Sequence, residues 1–191
     1  MASINNYTNT SLPAEGVYMS RSFSYVELGL TESKFGISYQ ARLGLELCEP
    51  TRKANKPVVV QKAIWNVSLK SQKFRDLAKA LTGRPEVSGL DMQDLLNCPC
   101  EVTITHRETE TGIYADIEIG RYRGSAKVPA LMSDQVFLSL HHSDFNADVL
   151  EALPEKLRDK IKMGPTFKDL MLQRALADKP AADIIDDEIP F

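Results

Sequence analysis

The sequence predicts a mainly β fold. We expect a five-stranded barrel with one helix between its third and fourth strands, then a helical extension and a disordered acidic tail. Five segments between residues 16 and 119 alternate apolar and polar side chains with the period of two of a β-strand. One segment with helical period lies between the third and fourth of them. Residues 178–191 carry five acidic side chains and one Lys, a charge density that opposes joining a packed core.

The first two strands differ in regularity. Residues 1–15 are rich in Asn, Ser and Thr and predict a flexible leader. The first strand begins at Gly16 and alternates to residue 25, and a turn is expected at residues 29–33. Across residues 35–47, every odd position is apolar or aromatic and every even position is small or polar. Such a strand places one face on a core and the other toward water or a ligand.

A proline-bounded basic loop at residues 49–57 leads into the third strand, at residues 58–68. The apolar period then changes from two to that of a helix over residues 69–81. Gly83 and the proline after it predict where this helix ends.

Two further strands and three helical segments follow. A short second helix is expected near residues 90–96. Residues 100–104 and 113–119 alternate as the fourth and fifth strands. Helical patterns cover residues 147–162, interrupted by a proline, and 166–177; the intervening segment shows no pattern that we assign.

Three strands, a helix and two strands is the order of the OB-fold, a small five-stranded barrel. We therefore divide the chain into four parts. These are a flexible leader (1–15), an OB-fold domain (16–127), a helical extension packed on the barrel (128–177) and a disordered acidic tail that binds proteins (178–191).

Charge is unevenly distributed. Residues 34–84 hold eleven Lys and Arg against three acidic residues, a local excess of eight positive charges that suits a polyanion. The N-terminal residues lack the basic and apolar regions of a signal peptide, and no apolar run reaches membrane-spanning length. Three cysteines without a framework spacing are typical of a reducing cytoplasm.

The sequence ends in an acidic run followed by apolar residues: Asp186, Asp187, Glu188, Ile189, Pro190 and Phe191. An aromatic ring and a terminal carboxylate suit capture by an apolar pocket with a basic rim, and the acidic run would steer the approach. A solubilising tail is the alternative. The motif resembles the C-terminal tip of bacterial single-stranded DNA-binding proteins. That resemblance implies that the tail recruits replication or recombination proteins of the host or of a phage.

A second resemblance covers residues 16–170, which are similar to a family of phage single-stranded DNA-binding proteins built on one OB domain. It rests on the stretches 65–75, 83–85, 95–100, 112–117 and 153–154. The resemblance implies a non-catalytic protein that coats single-stranded DNA during phage replication or recombination, in the cytoplasm of a bacterial host. It implies no cofactor.

Candidate DNA-binding residues are cations and aromatics, since sequence-tolerant binding of single strands uses charge along the phosphates and stacking on the bases. Trp65 shares the parity of its apolar neighbours, which slightly favours a core position, whereas Tyr114 falls among acidic residues on a polar face. The candidates are Arg42, Arg52, Lys53, Lys56, Lys62, Trp65, Lys70, Lys73, Arg75, Tyr114, Arg121, Tyr122 and Arg123.

Other functions find less support. Cys98, Cys100 and His106 lack a common zinc spacing, so no metal site is expected. We see no nucleophile elbow and no phosphate-binding glycine loop, which disfavours an enzyme. A strand-annealing or recombination-mediator protein stays open, and so does an adaptor whose barrel binds protein.

Overall fold

The computed structural model describes residues 12–33, 36–48, 57–110, 112–124 and 128–177. Its strands are β1 (Gly16–Ser33), β2 (Gly36–Cys48), β3 (Val58–Trp65), β4 (Pro99–Thr109), β5 (Gly112–Tyr122) and β6 (Val136–Leu138). Its helices are α1 (Gln72–Thr82), α2 (Ala147–Ala152), α3 (Glu155–Met163) and α4 (Pro165–Ala177), with one 3-10 turn at Met92–Leu95.

The strands form one six-stranded sheet, which confirms the prediction of a mainly β fold. Five strands pair antiparallel in the order β3-β2-β1-β4-β5, and β6 pairs parallel with β1. In the described part of the chain this path of paired strands ends at β3 and at β5. The sheet is therefore open, and a closed barrel is not confirmed.

The expected turn at residues 29–33 is wrong, because β1 continues to Ser33 and pairs there with Gly36. The register shifts between Glu27 and Gly29, and Gly29 has a φ of 76°. A glycine in the left-handed region accommodates such a bulge without ending the strand. The polar residues that suggested a turn instead form the exposed end of a long hairpin.

Gly44 lies opposite a second irregularity in β1, between Ser22 and Ser24. A Cβ atom at Gly44 would come within 2.2 Å of Ser24 Oγ and 2.8 Å of the Phe23 ring. The missing side chain is therefore what lets the bulged strand approach β2.

Helix α1 ends before Gly83 as predicted, but it begins at Gln72 and not at Leu69. The Ser71 hydroxyl accepts a hydrogen bond from the Phe74 N–H at its start, and Gly83 closes it with a φ of 69°. Its buried residues are Phe74, Ala78 and Leu81. They pack in the main core, which is formed by the inward face of the sheet.

Strand β1 is buried on both faces from residue 20 to residue 29. Tyr25 belongs to the main core with the inward residues of β2. Val26 and Leu28 belong to a second core, whose other residues come from β6 and from helices α2, α3 and α4. The helical extension therefore covers the opposite face of the central strand.

Two buried glutamates fasten the segment before α2 to the sheet. Glu27 accepts hydrogen bonds from the Leu140 N–H (2.7 Å), the Tyr39 hydroxyl (2.8 Å) and, at longer range, the hydroxyls of Tyr25 and Ser139. Glu46 accepts from the main-chain N–H groups at positions 132 and 133. These contacts order residues 128–145, where the sequence showed no periodic pattern.

Two phenols of this network, those of Tyr25 and Tyr39, have raised pKa values. Burial, and secondarily the negative charge of Glu27, raise the pKa of Tyr25 and of Tyr39 far above its ordinary value. Both side chains therefore stay neutral donors while the protein is folded.

Candidate nucleic-acid interface

Trp65 is the last residue of β3, and 50% of its surface is exposed. Val60 and Ile64 point into the main core, so period-two alternation directs Trp65 outward. Its partner in the ladder is Gln40 of β2. The slight preference for a core position inferred from the sequence was wrong. The apolar neighbours that suggested it are Ala63, which is exposed, and Val67, which is half-buried.

The chain turns sharply after Trp65. Asn66 adopts a left-handed φ of 54°, and the Val67 N–H donates to the Tyr39 carbonyl at 3.1 Å. This turn sends the chain toward α1 and brings Lys73 to the same place as Trp65. Asn carries a lower strain in this conformation than most residues do.

Two clefts flank Trp65. The first, here called the α1 cleft, has a volume of about 480 Å³ and lies between β3, α1 and β5. It is lined by Lys62, Ala63, Ile64, Trp65, Asn66, Lys73, Phe74, Asp76, Leu77, Ala80, Glu118 and Ile119. The second, the hairpin cleft, has a volume of about 640 Å³ and is lined by Ser33, Gly36, Ile37, Ser38, Trp65, Asn66 and Lys73.

Lys73 lines both clefts, as do Trp65 and Asn66. It is an exposed residue of the first turn of α1, and within the described residues its ammonium group has no hydrogen-bond or ion-pair partner. The structure thus brings two of the predicted residues together, an aromatic face and an uncommitted positive charge.

Two other predicted cations are bound within the protein. The Lys62 ammonium donates to the Ile117 carbonyl of β5. The Arg75 guanidinium donates to the carbonyls of Leu69 (2.8 Å) and Lys70 (3.1 Å), which holds the turn before α1 in place. Lys70 itself is exposed beside this turn.

Arg42 lies on the outward face of β2 and donates to Gln61 of β3 at 3.1 Å. Lys160 of α3 lies close enough to be influenced by it: partial burial, and then the positive charge of Arg42, lower the pKa of Lys160. Sequence analysis missed Lys160, because no strand or helix pattern shows that α3 approaches β2.

The remaining described candidates lie on β5 and at its end. Tyr114 and Tyr122 are 49% and 42% exposed, and Arg121 is exposed between them. The Tyr122 ring packs against Gly83, and Arg123 forms an ion pair with Glu101. None of these side chains lines the α1 cleft or the hairpin cleft, so the predicted set divides into two groups.

Several predictions fall on residues that the structure does not describe. These are the basic loop residues Arg52, Lys53 and Lys56 and the tail residues Asp186, Asp187, Glu188, Ile189, Pro190 and Phe191. Their roles stay predictions.

Across the described ranges, no group of three or more His, Cys, Asp or Glu side chains is placed to hold a metal ion. Cys98 and Cys100 are buried, and burial raises the pKa of Cys100 to about 11. Among the helices described, none has the length and apolar character needed to cross a bilayer.

A scan of the chain against protein-family models finds no match, and a search of curated proteins finds no similar sequence.

Proposed function

We propose that this protein binds single-stranded DNA without sequence-specific recognition and protects it during phage DNA replication or recombination. The observation that carries the proposal is the half-exposed indole of Trp65 between two clefts, beside the ammonium of Lys73, which has no partner among the described residues. A base offers a flat face to the indole, and its phosphate offers a charge to the lysine. Neither contact depends on the identity of the base.

The strand order supports an OB-type barrel. The three-strand meander, the intervening α1 and the two-strand hairpin follow the order of that fold, and β3 and β5 are the strands that closure would join. In this proposal the hydrogen bond from Lys62 to β5 stabilises the barrel, and Lys62 is not a main DNA contact.

A path for the DNA follows the outward face of β2 and β3. It runs from Trp65 past Ala63 to Arg42 and Gln61, and it stops there because Glu46 and Val59 further along this face are buried. The five residues of β3 from Gln61 to Trp65 span roughly 15 Å, room for a short stretch of single strand. The cations along this path supply the salt-dependent part of the affinity.

The acidic tail, residues 178–191, is proposed to recruit host or phage replication and recombination proteins through its apolar tip. Its sequence resemblance to the tip of bacterial single-stranded DNA-binding proteins supports this role. The bacterial cytoplasm is the corresponding location.

A strand-annealing protein is the second candidate, because α4 exposes two leucines one turn apart. Leu172 is 61% exposed and Leu176 is 57% exposed. Annealing proteins need a surface for self-association, and such a pair could provide one. An annealing assay with complementary oligonucleotides separates this function from simple coating.

The main test compares fluorescence-anisotropy titrations of dye-labelled single- and double-stranded oligonucleotides with wild type and Trp65→Ala, because Trp65 is the sole tryptophan of the sequence. Because stacking contributes about 1–3 kcal/mol per base, we expect at least a fivefold loss of single-strand affinity, with Trp65→Tyr close to wild type. Val17→Ala is the control, since Val17 is 63% exposed at the end of β1 opposite to Ser33 and lines neither cleft. Equal affinity for single and double strands would overturn the proposal.

A further inference from the structure

We propose that the α1 cleft selects bases that carry an exocyclic amino group, so that cytosine is preferred to uracil and thymine, with Glu118 as the selecting residue. This inference rests on the proposed binding of single-stranded DNA and specifies how one base is held.

The two clefts differ in charge. The α1 cleft contains two carboxylates, Asp76 from α1 and Glu118 from β5, whereas none of the described residues that line the hairpin cleft is acidic. A phosphate would be repelled by the carboxylates. The backbone is therefore expected on the side of the hairpin cleft, with its hydroxyls and Lys73, and the base on the side of the α1 cleft.

The walls of the α1 cleft suit a flat ring. They include the aliphatic and aromatic side chains of Ile64, Phe74, Leu77, Ala80 and Ile119. Trp65 stands at the edge that the two clefts share. A base that stacks on the indole from this side would share the cleft with Asp76 and Glu118.

Glu118 is the more available of the two carboxylates. Asp76 already accepts a hydrogen bond from the Gln72 amide at 2.7 Å. Glu118 is exposed on β5 and, so far as the described residues extend, has no hydrogen-bond or ion-pair partner. An ionised carboxylate only accepts hydrogen bonds, so its ligand must donate.

Cytosine presents an amino donor at the position where uracil and thymine present a carbonyl acceptor. A carboxylate would bind the first and repel the second. Lys62 also lines the cleft, and its ammonium donates one of its three hydrogens to the Ile117 carbonyl, which holds it beside β5. Among the described residues, the Glu118 carboxylate has no such contact.

The test measures affinities for oligo(dC) and oligo(dU) of equal length, because these bases differ in the amino and carbonyl groups and share the same ring size. The wild-type protein should prefer oligo(dC) about fivefold or more, the discrimination expected of a carboxylate that accepts from the cytosine amino group. Glu118→Gln should bring the ratio of the two affinities close to one.

Glu108→Gln is the matched control, since Glu108 is an exposed carboxylate on the neighbouring strand β4 and lines neither cleft. It removes the same charge, so both affinities rise together and their ratio stays at the wild-type value. A wild-type ratio near one, or a ratio that Glu118→Gln leaves unchanged, would overturn the inference alone. Failure to bind either oligonucleotide would overturn the proposed function with it.

Discussion

The Lys62 ammonium of β3 donates a hydrogen bond to the main-chain carbonyl of Ile117 in β5, across the open side of the sheet. These are the two strands at which the path of paired strands ends. One side chain thus makes a contact where a ladder of main-chain bonds would close a barrel.

Replacing Lys62 with Met should destabilise the protein by about 1–2 kcal/mol, because the change keeps the aliphatic stem and removes a hydrogen bond from a charged donor. Urea denaturation gives the free energy of unfolding. Lys70→Met is the control, since Lys70 is exposed and its ammonium has no partner in the described part of the chain. Equal stability of the two variants would show that the contact between β3 and β5 contributes nothing.

Replacing Lys73 with Gln should reduce the salt dependence of single-strand binding. Loss of one phosphate contact lowers the slope of log K against log salt by about 0.7 for a single strand. Lys168→Gln, an exposed change on α4, should leave the slope unchanged. If the two variants have the same slope, Lys73 does not contact a phosphate.

The buried phenols predict a steep loss of stability at alkaline pH. Since folding raises the pKa of Tyr25, the unfolded chain releases this proton above about pH 10 while the folded protein keeps it. The protonated phenol therefore contributes fully to the free energy of unfolding below that pH. This contribution is lost as pH rises, by about 1.4 kcal/mol per pH unit for each such group.

Tyr25→Phe should make the alkaline slope of the unfolding free energy shallower. Ser139→Ala also removes a hydrogen bond to Glu27 but no titrating group, so it should lower stability equally at all pH values. Denaturation series at several pH values measure both effects. If Tyr25→Phe does not change the slope of the unfolding free energy against pH, the Tyr25 phenol does not cause the alkaline loss of stability.

Gly44→Ala should destabilise the protein by about 1–3 kcal/mol, the usual cost of excess volume in a packed region. The new Cβ would meet Ser24 Oγ and the Phe23 ring. In a Ser24→Ala background the cost should be smaller, because the nearest of these atoms is gone. Thermal unfolding of wild type, the two single variants and the double variant shows whether the two sites interact.

Deleting residues 178–191 should strengthen DNA binding at low salt, because the tail and the DNA are both anionic and compete for the same cations. The difference should shrink as salt screens the charges. Partner binding should be lost with the deletion. A salt titration in which the intact and shortened proteins bind equally throughout would contradict the competition.

Much of the fold follows from local patterns. The alternation of apolar and polar residues predicted β2, and the helical period and Gly83 predicted α1. Pro154, which interrupts the next helical pattern, falls between α2 and α3. The end of β1 and the strand β6 could not be found this way. Their backbone is held by distant partners, such as the bond from Leu140 N–H to Glu27, that leave no periodic signal in the sequence.

The candidate site was predicted only in part, for a related reason. Parity placed Arg42 on the outward face, but it could not show that Trp65, Lys73 and Glu118 come from three elements that meet. Ile37 shares the parity of the core residues and is nevertheless 71% exposed, because β2 begins beyond the edge of the core. Exposure at the end of a strand depends on where the core stops.

Because both faces of β1 are buried, the chain cannot be shortened after the sheet without exposing one face of this strand. A chain cut at residue 127 would expose Val26 and Leu28 to water and would deprive Glu27 of the Leu140 N–H. The remaining sheet would carry an apolar stripe and a less satisfied buried carboxylate along its central strand. The boundary drawn at residue 127 therefore separates two stretches of sequence that share one core, and a minimal folded fragment has to extend into α4.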